Sequence, residues 1–311
     1  MELINPSVKI WNQDPTIEDM WDHIAKCTLV CRQAESIKAG ETSEEFCWRT
    51  LLAKRPFNHE GNHLAMLEHG SVYLQILLSE TTDEKILFYQ NNKYTKVHLE
   101  TEHDIAFIST NLRVLVENDL LLDLNYWSKF TKFHTKRVTV NFITNIGVSR
   151  EFNRHRVNSI VEESTRYCNY SKDKFNNSLN IVLPQWLFYT EEYNYVLKHQ
   201  NNPLAKYLED INNNEDDELL EKYSDVDFYL AAITFAEYFY MMLIKKGWTA
   251  QKAREVLPLA TKTQLIHTAF IDDWKHFILL RSWGISGAPH PNAKLIADKL
   301  YSLFIKEDLL L

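Results

Sequence analysis

Glycine is scarce, with 7 in 311 residues, and neither a Gly-x-Gly-x-x-Gly nor a Gly-x-x-x-x-Gly-Lys run occurs. The backbone cradles that hold dinucleotides and nucleoside triphosphates are thereby excluded, so a dinucleotide bound here is held by side chains. Cysteine is equally sparse: Cys27, Cys31, Cys47 and Cys168, with no apolar leader near Met1, give neither a disulfide framework nor an export signal. A cytoplasmic location is expected. Cys27 and Cys31 lie one helical turn apart, but nothing nearby completes a metal site, and core packing is their expected role. A basic excess is also lacking, since 34 basic against 42 acidic side chains leave a net charge of -8. Such a surface repels polyanions, so no nucleic-acid partner is expected and any bound phosphate needs a local basic pocket. A membrane span is missing too. The most apolar stretch, Phe228 to Ile244, carries Glu237 and is shorter than the roughly 20 apolar residues a span needs, which suggests a buried helix.

What the chain does contain is 45% hydrophobic and 13% aromatic residues, enough for a sizeable core. No repeat or linker divides it, so residues 1–311 are read as one domain of α+β class, a twisted sheet flanked by helices. Helices are predicted from Thr16 to Ala39, Ser43 to Leu52, His103 to Glu117, Asn145 to Arg156, Thr249 to Pro258 and Thr261 to Trp283. Ser224 with Asp227 forms a capping-box pattern for a helix to Lys246 stopped by Gly247, and Pro291 suits a first helical turn. Strands are predicted at Val72 to Leu78, Lys85 to Tyr89 and Arg137 to Thr144, with the first pairing the last. Residues 79–136 read as an insertion that embellishes the core. The acidic run within about 208–223, centred on Asn212 to Glu218, reads as a solvated loop.

Arg154-His155-Arg156 places two permanently charged forks around an imidazole, a concentration of donors suited to anionic or carbonyl-rich partners. On a helix end the two arginines point roughly 200° apart and serve different partners. The bland alternative pairs them with Glu151, Glu162 and Glu163 on the surface. Seven residues follow the triplet and then comes Ser164, within Glu162-Glu163-Ser164-Thr165-Arg166-Tyr167.

These residues resemble the signature of the flavin-dependent thymidylate synthases, whose corresponding stretch reads Glu-Leu-Ser-Gly-Arg-Tyr. His63 with Glu68-His69 resembles that family's His-x-x-x-Phe-Glu-His segment. Ala253-Arg254 with Val256-Leu257-Pro258-Leu259 resembles its Ala-Arg-x-Val-Leu-Pro-Leu run, and Leu279-Leu280-Arg281 falls where members carry Asn-Leu-Arg. The resemblance implies that family's fold and a homotetramer with active sites shared between subunits. It implies transfer of a methylene group from methylenetetrahydrofolate to C5 of dUMP, with FAD as cofactor and NADPH as reductant, to give dTMP. His63, Arg154, His155, Arg156, Glu162 and Arg281 would contact the flavin. Glu151, Arg154, Glu162, Ser164, Thr165, Arg166 and Gln264 would hold the nucleotide, with Arg154, Ser164 and Arg166 as catalytic residues; no metal is implied.

The chain departs from the family pattern on the nucleotide side. Glu151 replaces a Gln, Gln264 replaces an Arg, and an Arg expected about ten residues after Arg281 is missing, with His290 and Lys294 nearby. A different pyrimidine nucleotide is therefore an alternative substrate, and a flavin-binding protein without catalysis is another. From a different class, His59-Glu60-Gly61-Asn62-His63 is a literal His-Glu-x-x-His zinc protease motif. Such a motif needs a helix, which Pro56, Gly61 and Asn62 disfavour.

Overall fold

The computed structural model describes residues 1–33, 36–53, 63–187, 204–213 and 215–310. His59 and Glu60 of the zinc-type motif lie outside them. The described strands are β1 (Glu2–Ile4), β2 (Ser7–Trp11), β3 (Ser71–Leu77), β4 (Lys96–Glu100), β5 (Ile105–Asn111), β6 (Arg137–Asn145), β7 (Ser159–Glu162), β8 (Asn180–Val182) and β9 (Lys262–Phe270). They form a four-stranded antiparallel sheet β2-β6-β9-β7, a three-stranded antiparallel sheet β3-β5-β4, and a parallel pair β1-β8. Helices and sheet are mixed along the chain, as expected.

Alternation in β6 sets the layers. Val138, Val140 and Phe142 share one face with Leu265 and Ala269 of β9. That face is covered by the helices Ile146–Phe152, Ile271–Arg281 and Pro291–Lys306 through Phe152, Trp274, Phe277 and Phe304. The opposite face presents Thr139, Thr268, Val161 and Ile266 to the helix Ile17–Arg32, whose Cys27 and Val30 pack there. Cys27 is fully buried, as expected of a core cysteine. The other side of the same helix, with Met20 and Ile24, packs on Val72, Leu74 and Ile108 of the three-stranded sheet.

Several expectations are corrected. β3 pairs with β5, not β6, and β3, β5 and β4 build a second sheet whose apolar interior also takes in Met20, Ile24 and Phe46. Lys85 to Tyr89 is helical, within Asp83–Asn91, because the Thr82 hydroxyl accepts from the Lys85 amide and Asp83 and Glu84 suit a helix N-terminus. His103 to Glu117 divides into β5 and the helix Leu112–Glu117, the break falling where Asn111 caps Val114. Thr261 to Trp283 divides likewise: Ile266 and Phe270 belong to β9, while Trp274, Phe277 and Ile278 belong to the helix that follows. A centre strand buried on both faces loses the period-2 signal. The acidic run is helical, as Leu204–Asn213 and Asp216–Lys222, with Asp216, Asp217 and Glu218 in a first turn where the helix dipole favours them. The first helix ends at Arg32, where Gln33 takes a left-handed conformation (φ 48°).

Other expectations match. Ser224 and Asp227 form the capping box, Gly247 has φ 91°, and Pro291 opens the last helix. The helix Asp225–Lys245 is long and apolar enough to cross a membrane by length and composition. It is buried on one face only, through Val226, Leu230, Ile233 and Tyr240, and Glu237 accepts from the Leu179 amide at 2.8 Å. The expected buried helix is thus buried along one face and exposed along the other.

Candidate active site

β6 ends at Asn145, whose side-chain oxygen accepts from the Val148 amide at 2.8 Å and starts the helix Ile146–Phe152. Past Phe152 the chain coils into a tight turn, with His155 N donating to Phe152 O and Asn158 N to His155 O. The turn carries the Arg-His-Arg triplet and hands it directly to β7. His155 points inward, 7% exposed, with its ring 4.6 Å from that of Phe277, while Arg154 and Arg156 point outward. Neither arginine's guanidinium has an ion pair or hydrogen bond with a described residue. The surface pairing with Glu151, Glu162 and Glu163 therefore does not occur, because all three carboxylates are engaged elsewhere.

Glu151 belongs to Arg281. Arg281 Nη1 donates to Glu151 Oε2 at 3.1 Å, Nη2 to the Glu151 carbonyl at 2.8 Å, and Nε to His155 Nε2 at 3.1 Å. Accepting at Nε2 fixes His155 as the Nδ1–H neutral tautomer. Burial, with Arg281 and His276 adding to it, pushes its pKa down to about 4. Glu162 accepts from Asn153 at 3.2 Å and from the Thr263 hydroxyl at 3.0 Å. Glu163, on the opposite face of the sheet, is 4% exposed and holds Lys262 at 2.5 Å. Gln33 Nε2 reaches both Glu163 (3.3 Å) and Gln264 Oε1 (2.9 Å).

At the far end of β7 the chain turns again. The Ser164 amide donates to Cys31 O at 2.9 Å, tying this turn to the end of the first helix, and the Ser164 carbonyl accepts from Tyr167 and Cys168. Thr165 accepts weakly from Arg254 at 3.5 Å. Arg166 is exposed, donating to Gln251 at 3.1 and 3.2 Å. Cys168 is buried, with a thiol pKa pushed up to about 12, and is inert. The two turns of the signature thus flank a strand of four residues, which at about 3.3 Å per residue separates them by about 13 Å.

The structure brings Glu151, His155 and Arg281 into one cluster and hangs Arg154, Arg156, Ser164, Thr165 and Arg166 on the turns beside it. It does not bring His63 into contact: that residue is exposed before the turn Leu64–His69, and no hydrogen bond links its ring to the signature residues. Gln264 is consumed internally, accepting from Gln33 and donating to Asn141 at 3.0 Å. Lys294 is bonded to Ser282 O and Asp298, and His290 accepts from the Asn292 amide as a helix cap, so neither stands in for the missing arginine. The Glu163–Lys262 pair and its bridge through Gln33 escaped the sequence reading. The signal was there in Glu163, a carboxylate where the family pattern has leucine.

The fold is a mixed helix and sheet fold with two donor-rich turns flanking one short strand. The sequence profile of the thymidylate synthase complementing protein family matches residues 89–308, more than half of the chain. The chain belongs to that family, the flavin-dependent thymidylate synthases, and is an enzyme of the methyltransferase class. Two solved structures are similar to it: the UMP/dUMP methylase PolB from Streptomyces cacaoi bound with 5-Br dUMP (16% identity, 98% of this chain and 93% of that one, TM-score 0.42), and the same methylase bound with 5-Br UMP (18% identity, 56% and 71%, TM-score 0.37). The family match, not these superpositions, carries the assignment. A search of curated proteins gives no match.

Proposed function

We propose that this enzyme methylates C5 of dUMP to give dTMP, with methylenetetrahydrofolate as carbon donor, NADPH as reductant and FAD as cofactor. The observation that carries the reading is the pair of open guanidiniums, Arg154 and Arg156, on a turn whose histidine is locked inward. Unpaired, solvent-facing arginines on a rigid turn are preorganised donors for an anion. The donor set fits a flavin. A pyrimidine edge that gains electron density needs hydrogen-bond donors, and Arg154, Arg156 and the Glu162 turn would hold it without a glycine loop.

Bound FAD would relay the hydride of NADPH. The residues of this chain bind and orient. Arg154, Ser164, Thr165 and Arg166 would hold the nucleotide, and Arg281 keeps the triplet turn in shape through Glu151 and His155. His155 stays neutral, so the turn offers positive charge only at its two arginines. The same reading takes the enzyme as a cytoplasmic homotetramer without nucleic-acid or membrane partners, supported by its acidic balance. The zinc-protease reading is set aside by the family match, and His63 stands outside any helix.

A second reading, methylation of a different pyrimidine nucleotide, is favoured by one finding. Glu151 and Gln264, which differ from the family pattern, are turned toward partners within the protein, Glu151 to Arg281 and Gln264 to Gln33 and Asn141. Mass spectrometry of products from dUMP, UMP and dCMP, with FAD, NADPH and methylenetetrahydrofolate supplied, tests both. A mass gain on dUMP alone supports the first reading; gain on another nucleotide and not dUMP supports the second. No gain on any nucleotide overturns both.

A further inference from the structure

Arg137, the first residue of β6, is 8% exposed, and its guanidinium meets only neutral acceptors: Glu68 O at 2.9 Å, Ser71 Oγ at 3.3 Å, Thr110 O at 3.4 Å and Ser159 Oγ at 3.5 Å. Its Nε has no partner, and among the described residues no carboxylate stands within ion-pair distance. A buried cation with no direct ion pair is costly, and here the Glu68 and Asp273 carboxylates offset it only from a distance. Burial pulls its pKa down to about 10, still well above neutrality, so the charge persists.

The guanidinium lies 5.6 Å over the Phe270 ring, at the wall of a cleft of about 340 Å³. Lys93, Lys96 and Arg156 line the same cleft, all exposed and none in an ion pair with a described residue. Against these four cations stands one lining carboxylate, Asp273, half-buried and with its pKa raised by that burial. Asn111 and Tyr94 add polar atoms. Lys93, Tyr94, Lys96 and Asn111 all come from the second sheet and its connections. Arg137 and Arg156 come from the first sheet and the triplet turn. A protein with a net charge of -8 thus concentrates four cations, two of them planar forks, around one open cleft.

We propose that this cleft between the two sheets binds a phosphate group, and that residues 93–111 supply cations of their own to it. Two forks and two ammonium groups match the oxygens of a phosphate or diphosphate. The ligand class follows from charge and geometry alone, and does not depend on which pyrimidine is methylated. Two sources share the chemistry, the diphosphate of a flavin dinucleotide and the monophosphate of a substrate nucleotide.

Isothermal titration calorimetry of the whole chain with inorganic pyrophosphate tests the site directly. Binding is expected, weakened about ten-fold in Lys93→Gln/Lys96→Gln, as loss of charge-assisted contacts implies. Both lysines are exposed, so this variant folds whatever becomes of a second one, Arg137→Met, which should abolish the rise in melting temperature that pyrophosphate gives the wild type. Titrating FAD, riboflavin and dUMP into the lysine variant then identifies the source: FAD weakened with riboflavin unchanged means the cofactor diphosphate, dUMP weakened means the nucleotide. Failure of pyrophosphate to bind the wild type, or equal affinity in the wild type and the lysine variant, overturns the proposal, whereas failure of methylation leaves it standing.

Discussion

Arg281 closes on Glu151 through both its carboxylate, at 3.1 Å, and its main-chain carbonyl, at 2.8 Å, and so fastens the end of one helix to the last turn of another. Since its Nε also fixes His155, one side chain sets the shape of the turn that presents Arg154 and Arg156.

Truncating that fork should be felt in stability before chemistry. Arg281→Ala removes three hydrogen bonds at a partly exposed site and is expected to cost about 1–3 kcal/mol in urea denaturation. Glu151→Gln keeps the main-chain contact and a neutral acceptor and should cost about 1 kcal/mol or less. Equal losses from the two variants would mean that the carboxylate, not the fork, does the fastening.

Arg154 and Arg156 predict the reverse. Neither has a described internal partner, so Arg154→Ala and Arg156→Ala should each shift unfolding by no more than about 0.5 kcal/mol. Flavin retention, read from visible absorbance after gel filtration with FAD, should drop for both. Variants that unfold early yet keep their flavin would assign the arginines to the scaffold.

The ion pair under the Ser164 turn should couple strongly. Glu163 is 4% exposed, and Lys262→Met leaves its carboxylate with only hydrogen-bonding neighbours, a change expected to cost about 3–5 kcal/mol. Adding Glu163→Leu, the residue type of the family pattern, should recover most of the loss. A double-mutant cycle by thermal unfolding measures this, and additive losses would show that the two groups do not interact.

Acid should unfold the protein from slightly below neutrality. Burial depresses His23 and His155 to about 4 and His267 to about 3, and holds His69 low as well. Unfolded histidines take a proton near pH 6.5, so between about pH 6.5 and 4 the unfolded state binds more protons and stability falls as pH falls. Each histidine contributes a slope of up to about 1.4 kcal/mol per pH unit. Urea midpoints at pH 7.5 and 5 should differ by several histidines' worth, and the difference should shrink in His267→Gln; a flat profile would refute neutral burial.

The legible parts of the sequence were those with local causes. The capping box of Ser224 and Asp227, the left-handed Gly247 and the Pro291 start need only near neighbours, and the structure has all three. Tertiary causes were hidden. β9 reads as a helix because Ile266, Phe270 and Trp274 fall four apart, yet its placement between β6 and β7 decides otherwise. The triplet was legible as chemistry, but not that Arg281 would turn His155 inward or that the second sheet would set Lys93 and Lys96 beside Arg156. Those outcomes depend on contacts across most of the chain.

The helix Ile17–Arg32 is a wall common to both sheets, and this has a kinetic consequence. Its side toward the second sheet packs only on residues up to Trp127, a core that closes within the first half of the chain. Its side toward the first sheet waits for β9, where Cys27 and Val30 meet Ile266, and the Gln33–Gln264 bond at its end spans 231 positions. Contacts of such separation form late. During synthesis the amino-terminal half should therefore fold first, with the polar flank of its helix still wet, and serve as the template on which β6 and β9 later close the donor-bearing turns.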